Sequence, residues 1–128
     1  MTLQGAEKRI LVVDDDRLIM SLLVAGLEEA DEAYTVTTAF SAKEALAKLG
    51  QEDFALVMTD YQMPDMNGLE LIEQIRRLSP EIPIVLMSAH PPEVMEEMVG
   101  KIQADGYLEK PISIYKLWEL VKSVIGDR

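Results

Sequence analysis

Apolar residues fall in short blocks along this chain, and the type of block alternates. Residues 10–13 (ILVV) are a continuous, partly β-branched run that stops at three acids. A run buried on both faces suits a central parallel strand. Behind it Leu18, Ile19, Leu22, Leu23 and Leu27 recur at helical spacing, which predicts a helix from Arg17 to about Ala30 with Asp16 as its N-cap. Residues 34–39 (YTVTTA) are strand-like but half polar, as on a sheet edge. Ser41 and Glu44 make a capping box before a helix with Ala45, Leu46 and Leu49 on one face, and Gly50 marks its end. Residues 55–59 form another apolar strand that ends at Asp60. The turn-rich stretch 63–68 (MPDMNG) leads into a helix over 69–78. Residues 82–87 are the next strand, ending at Ser88, and 93–102 a helix with a Val94, Met95, Met98, Ile102 stripe. A short strand at 106–109 follows. Ser113 then caps a last helix with Ile114, Leu117, Trp118, Val121, Val124 and Ile125 on one face.

Strands alternating with helices predict an α/β domain with a mainly parallel sheet covered on both sides. Right-handed crossovers make it a doubly wound, three-layer α/β/α sandwich. The 128 residues suit one domain, since domains run to roughly 100–200 residues. Residues 1–8 are assigned to a disordered or appended start, 9–126 to the domain and 127–128 to a tail. The chain is 48% apolar, too much for a disordered polymer. It holds no cysteine, which excludes disulfides and thiolate metal sites. Its apolar runs fall far short of the ~20 residues a membrane helix needs. A soluble, cytoplasmic protein is expected. The formal charge of −11 argues against direct contact with nucleic acid or anionic lipid.

In doubly wound sheets the site lies beyond the carboxyl ends of the strands. Those ends here carry Asp14, Asp15 and Asp16, then Asp60, then Ser88, Ala89 and His90, then Lys110 and Pro111. Neighbouring carboxylates repel and stay ionised together only around a cation. Oxygen donors suit a hard ion such as Mg²⁺. A lysine at the next strand end completes a pocket for a doubly charged, oxygen-rich group such as a phosphoryl.

Four segments carry a family resemblance: ILVVDDD (10–16), ALVMTDYQMPDMNG (55–68), IPIVLMSAH (82–90) and DGYLEKPI (105–112). In this order and spacing the chain resembles the receiver domain of two-component response regulators, the flavodoxin-like, CheY-like fold. The resemblance covers about residues 8–126. It implies a five-stranded parallel sheet in order 2-1-3-4-5, which puts the half-polar second strand at an edge. It also implies that Asp60 accepts a phosphoryl group from a sensor histidine kinase or phosphotransfer protein. By the same matching, Asp15 binds Mg²⁺ (or Mn²⁺) directly, Asp14 acts through water, Asp60 is itself a ligand, and the Gln62 backbone carbonyl is another. Ser88 bonds the phosphoryl oxygen, Lys110 pairs with the phosphate, and Tyr107 changes rotamer when the site fills. Gln62 and His90 lie where the family varies and tunes phosphoryl lifetime. The resemblance further implies a cis Lys110–Pro111 bond, and an output surface of the fourth helix, fifth strand and fifth helix. That surface would control a partner or output domain, or form a homodimer.

Beyond its own phosphorylation and slow dephosphorylation, no enzymatic activity is expected. Two rival readings fit the same residues. One is a metal-dependent phosphohydrolase with an aspartyl nucleophile, which usually carries an acid where Gln62 stands. The other is a receiver used only as an unphosphorylated interaction module. Among other residues, His90, the only histidine, is taken as an exposed loop residue, and Arg76 and Arg77 as a solvated helix face. Met63 and Met66 suggest an adaptable surface. Tyr115 is a candidate exposed contact and Trp118 a core residue. Whether the chain is a whole protein or part of a longer regulator is left open.

Overall fold

A computed structural model describes residues 8–102 and 104–126. Five strands and five helices alternate among the described residues: β1 (Arg9–Val13), α1 (Arg17–Ala30), β2 (Thr35–Ala39), α2 (Ala42–Leu49), β3 (Leu56–Asp60), α3 (Gly68–Leu78), β4 (Ile84–Ser88), α4 (Pro92–Ile102), β5 (Gly106–Glu109) and α5 (Ile114–Ile125). All strand pairs are parallel, in the order β2-β1-β3-β4-β5. The polar β2 is an edge, as its composition predicts. Residues 1–7, 127 and 128 lie outside the described residues, while Lys8 is held by an ion pair to Asp31 at 2.9 Å.

Side chains alternate along a strand, so each strand feeds both faces of the sheet. Leu11, Val13, Val57, Ile84 and Leu86 pack with Ala42, Ala45, Leu71, Ile72, Ile75 and Met95 under α2, α3 and α4. Ile10, Val12, Leu56, Met58, Val85, Met87 and Leu108 pack with Met20, Leu23, Leu27, Leu117 and Val121 under α1 and α5. These two cores make the three layers.

Several local expectations need correction. Leu18 and Leu22 are 71% and 64% exposed, because α1 turns Met20, Leu23 and Leu27 to the sheet instead. Strand β4 starts at Ile84 and not at residue 82. Pro83 has no N–H to donate, and the Ile82 carbonyl is taken by the Arg76 guanidinium. Arg76 is therefore no solvated residue: it also reaches Asp105 at 3.7 Å and ties the end of α3 to the starts of β4 and β5. Gly50 ends α2 with φ at −77°, so its left-handed freedom is not used. Met63 is buried in the core and offers no binding surface. In α4, Met95 is buried but Val94 is 39% exposed, and the Met98 and Ile102 side chains lie outside the described set. Trp118 is half-buried, donating from Nε1 to the Gly26 carbonyl at 2.8 Å, while Tyr115 is 74% exposed as expected.

The loop from β3 to α3 is compact. Gln62 and Asn67 form an antiparallel bridge, and Asn67 caps α3 by accepting from the Glu70 N–H at 2.9 Å. A Cβ on Gly68 would lie 2.5 Å from the Tyr61 carbonyl oxygen, a backbone atom that cannot swing away. Gly68→Ala is expected to cost about 1–3 kcal/mol by forced backbone shifts. Urea unfolding of the variant checks this, and an unchanged midpoint would contradict it.

Candidate functional site

Strand parity decides which polar side chains meet. Asp14 continues the Ile10, Val12 series, Asp60 the Leu56, Met58 series, and Lys110 follows Leu108. All three therefore belong to the α1/α5 side, where the strands end and the helices have not yet covered the edge. Lys110 Nζ donates to Asp14 Oδ2 at 2.9 Å and lies 3.3 Å from Asp60 Oδ2. Asp14, Asp15 and Asp60 each offer a carboxylate oxygen within 4.8 Å of the others. Asp14 is fully buried, Asp60 nearly so, and Asp15 exposed. Asp16 caps α1 as expected, accepting from the Leu18 and Ile19 N–H groups. The N–H of Asp16 itself holds Asp14 Oδ1 at 2.9 Å.

Ser88 is buried at the end of β4, beside this group in the sheet order, and its hydroxyl accepts from the His90 N–H at 3.0 Å. The Lys110 N–H donates to the Ser88 carbonyl at 2.7 Å, and the Lys110–Pro111 bond is cis. Gln62 is exposed, and its N–H points to Asp60 Oδ1 at 3.4 Å. Tyr107 is half-buried and packs on the α2/α3/α4 core, on the opposite face of the sheet from Leu108. His90 is half-buried, not exposed: its ring meets Tyr61 edge-on with centroids 5.7 Å apart. That contact joins two loops and could not be seen in the sequence.

The electrostatics follow from burial. Burial pushes the Asp60 carboxyl up; Lys110 pulls it down and Asp14 pushes it up again, leaving it above its ordinary value. Burial alone would lower the Lys110 ammonium, but the bond to Asp14 and the fields of Asp60 and Asp14 outweigh it and hold it high. Three carboxylates around one ammonium leave about two negative charges uncompensated. Three hard oxygen donors, one of them open to solvent, fit a divalent cation that keeps several waters.

Sequence reasoning missed Asp65. Its carboxylate reaches from the β3–α3 loop to the start of α2 and accepts from the Ala42 and Lys43 N–H groups at 3.1 and 3.0 Å. These bonds, that to Lys43 first, hold its carboxyl below the usual value. An acid in a turn-rich loop carries no signal of a partner more than twenty residues away.

A doubly wound sheet of order 2-1-3-4-5, with an acidic group and a lysine at its carboxyl edge, matches the receiver fold that the sequence resemblance implies. Comparison with known proteins agrees. The family described as the response regulator receiver domain matches residues 10–122, and the chain belongs to that family. It is 34% identical to the alkaline phosphatase synthesis transcriptional regulatory protein PhoP of Bacillus subtilis over 92% of this chain and 48% of that one. It is 32% identical to the transcriptional regulatory protein GlrR of Escherichia coli over 91% of this chain and 26% of that one. The chain thus spans about half or a quarter of these relatives. The CheY-like receiver domain protein of Methanospirillum hungatei superposes with a TM-score of 0.82 at 35% identity, covering 92% of this chain and 93% of that one. CheY4 of Vibrio cholerae gives 0.83 at 28% identity, covering 94% and 99%. This chain is thus a receiver domain of the two-component response-regulator family. No described helix is long and apolar enough to cross a membrane.

Proposed function

We propose that this domain takes a phosphoryl group onto Asp60 from the phosphohistidine of a sensor kinase or phosphotransfer protein, in the cytoplasm. The observation that supports it best is Lys110 Nζ placed between Asp14 and Asp60, with Asp15 in the same carboxylate group. Asp14, Asp15, Asp60 and the Gln62 carbonyl would hold Mg²⁺, or Mn²⁺ in its place. The bound ion supplies positive charge to the phosphoryl oxygens.

An Asp60 oxygen forms a bond to phosphorus as the P–N bond of the donor breaks, and the imidazole, already protonated on its other nitrogen, leaves as the neutral ring. The transition state is loose and its equatorial oxygens carry the charge, so positioning and neutralisation dominate. Lys110 neutralises that charge at short range, and the Ser88 hydroxyl donates to one oxygen. The product is an acyl phosphate. Water attacking the same phosphorus resets the domain, with Gln62 and His90 flanking its path.

Mg²⁺ is expected to bind weakly before phosphorylation, because few direct ligands come from the protein. Calorimetric titration should show saturable binding in the wild type and none in Asp15→Ala. Unchanged affinity in that variant would place the metal elsewhere.

Output would pass through α4, β5 and α5. A phosphoryl oxygen draws the Ser88 hydroxyl toward it, and the half-buried Tyr107 ring turns into the space behind β4. This is a local charge event coupled to a two-position side chain. Tyr115 and the acids Glu93, Glu96 and Glu97 would border the altered surface and meet a partner, an output domain or a second copy. With beryllofluoride, NMR shift changes should extend to residues 93–103 and 107–120, and shrink there in Tyr107→Ala. Changes confined to the strand-end pocket would refute this output face.

A further inference from the structure

The β3–α3 loop is closed on itself by the Gln62–Asn67 bridge, the Asn67 cap and the tight fit of Gly68 on Tyr61. The β1–β3 ladder and Met63, buried in the core with Leu11 and Val13, place the loop beside β1, and one polar side chain ties it further to α2. Asp65 leaves the loop and takes the two first amides of α2, Ala42 through Oδ1 and Lys43 through Oδ2. The next amide, of Glu44, goes to the Ser41 hydroxyl at 3.0 Å, and the Glu44 carboxylate returns to the Phe40 N–H at 2.7 Å.

Helix α2 is itself anchored to the sheet. Ala42, Ala45 and Leu49 are buried against the core that contains Leu11 and Val13 of β1. Strand β1 runs directly into Asp14 and Asp15, and the Asp14 N–H bonds the Ala39 carbonyl at the end of β2 at 3.1 Å. The path from Asp65 therefore leads through the start of α2 to the frame that carries Asp14 and Asp15. At its other end Asp65 sits three residues from Gln62. A further acid at an already acidic edge is unfavourable in general. Here the amides and the positive end of α2 accept it.

We propose that Asp65 is a positioning residue for the metal site: by clamping the β3–α3 loop to α2 it sets the Gln62 carbonyl against the Asp15 carboxylate. The proposal rests on the metal site proposed above. Ser41 and Glu44 form a capping box at the same helix end, and Asp65 adds acceptors for the buried Ala42 amide and the Lys43 amide, so the test must separate a cap from a clamp on the metal site.

The test is calorimetric titration of the whole domain with MgCl₂, without phosphodonor, beside thermal melting of each metal-free variant. Asp65→Ala should weaken Mg²⁺ binding by about five- to tenfold. Asp65→Asn keeps one acceptor oxygen and should lose no more than two- to threefold. Glu44→Ala removes a different side-chain contact at the same helix end, that to the Phe40 N–H; it should lower the melting temperature while leaving Mg²⁺ affinity unchanged. A wild type that binds Mg²⁺ with Asp65→Ala binding equally well would overturn the role of Asp65 and leave the metal site standing. Equal losses in Asp65→Ala and Glu44→Ala would also overturn it, as a general effect of helix stability. A wild type that binds no Mg²⁺ would overturn the metal site and this role together.

Discussion

Asp60→Asn is expected to abolish phosphoryl uptake, with acetyl phosphate and Mg²⁺ leaving no mass shift under conditions that label the wild type. The amide is a poor nucleophile and removes one of the three carboxylates that could hold the ion, so a loss of at least about 100-fold is expected. Equal labelling of the variant would move the acceptor elsewhere. The same substitution should stabilise the metal-free fold. Burial, the leading cause, raises the Asp60 carboxyl above its ordinary 3.8. A group whose folded value is raised binds its proton more tightly in the native state. Its ionisation therefore removes stability as pH rises from about the unfolded value through the folded one. At neutral pH the neutral amide avoids that cost, for a gain of about 1 kcal/mol. The gain should vanish below the ordinary carboxylate range, where Asp60 is protonated in both states. Urea midpoints at acid and neutral pH check the sign. A variant less stable than wild type at neutral pH would contradict it.

Lys110→Met should have the opposite effect on stability. Lys110 is the one described ammonium bonded to the fully buried Asp14 and also the partner of Asp60. Breaking a buried pair by removing one partner costs about 3–5 kcal/mol. The lysine keeps 16% exposure and water can partly replace it, so about 2–3 kcal/mol is expected here. Mg²⁺ should recover part of the loss by supplying positive charge to the same carboxylates. Phosphoryl uptake should also fall, because the charge on the transferring group loses its nearest neutralising partner. Melting curves with and without MgCl₂ separate the two effects. A variant as stable as wild type without metal would show that the ion pair carries no net stability.

The order of elements was legible in the sequence because the strands are short, the central ones apolar, and nearly all are punctuated by a cap or a turn. Asp16, Ser41 and Ser113 cap the helices that follow them as the sequence predicts, and the structure adds Asn67 as the cap of α3. The strand-end residues Asp14, Asp60, Ser88 and Lys110 were legible for a related reason: a polar residue ending an apolar run lies at the sheet edge wherever the strands go. Which strands lie side by side came from the resemblance, since periodicity says nothing about neighbours.

Other features depend on distances between segments remote in sequence. The face that α1 buries is set by the sheet and by α5, so an apolar stripe including Leu18 and Leu22 misjudged it. Arg76 looked like solvated charge because its partners, Ile82 and Asp105, meet only when β4 and β5 pair. Tyr61 and His90 touch because their loops leave neighbouring strands at the same edge. The grip of Asp65 on α2 crosses from one βα unit to another. What the sequence alone determined is the alternation of strands and helices and the identity of the polar groups at strand ends, since those depend on local propensity and periodicity. Only the tertiary structure decided which charges pair, which loops are clamped and which apolar residues stay exposed, because those depend on where the packed sheet brings distant backbone together.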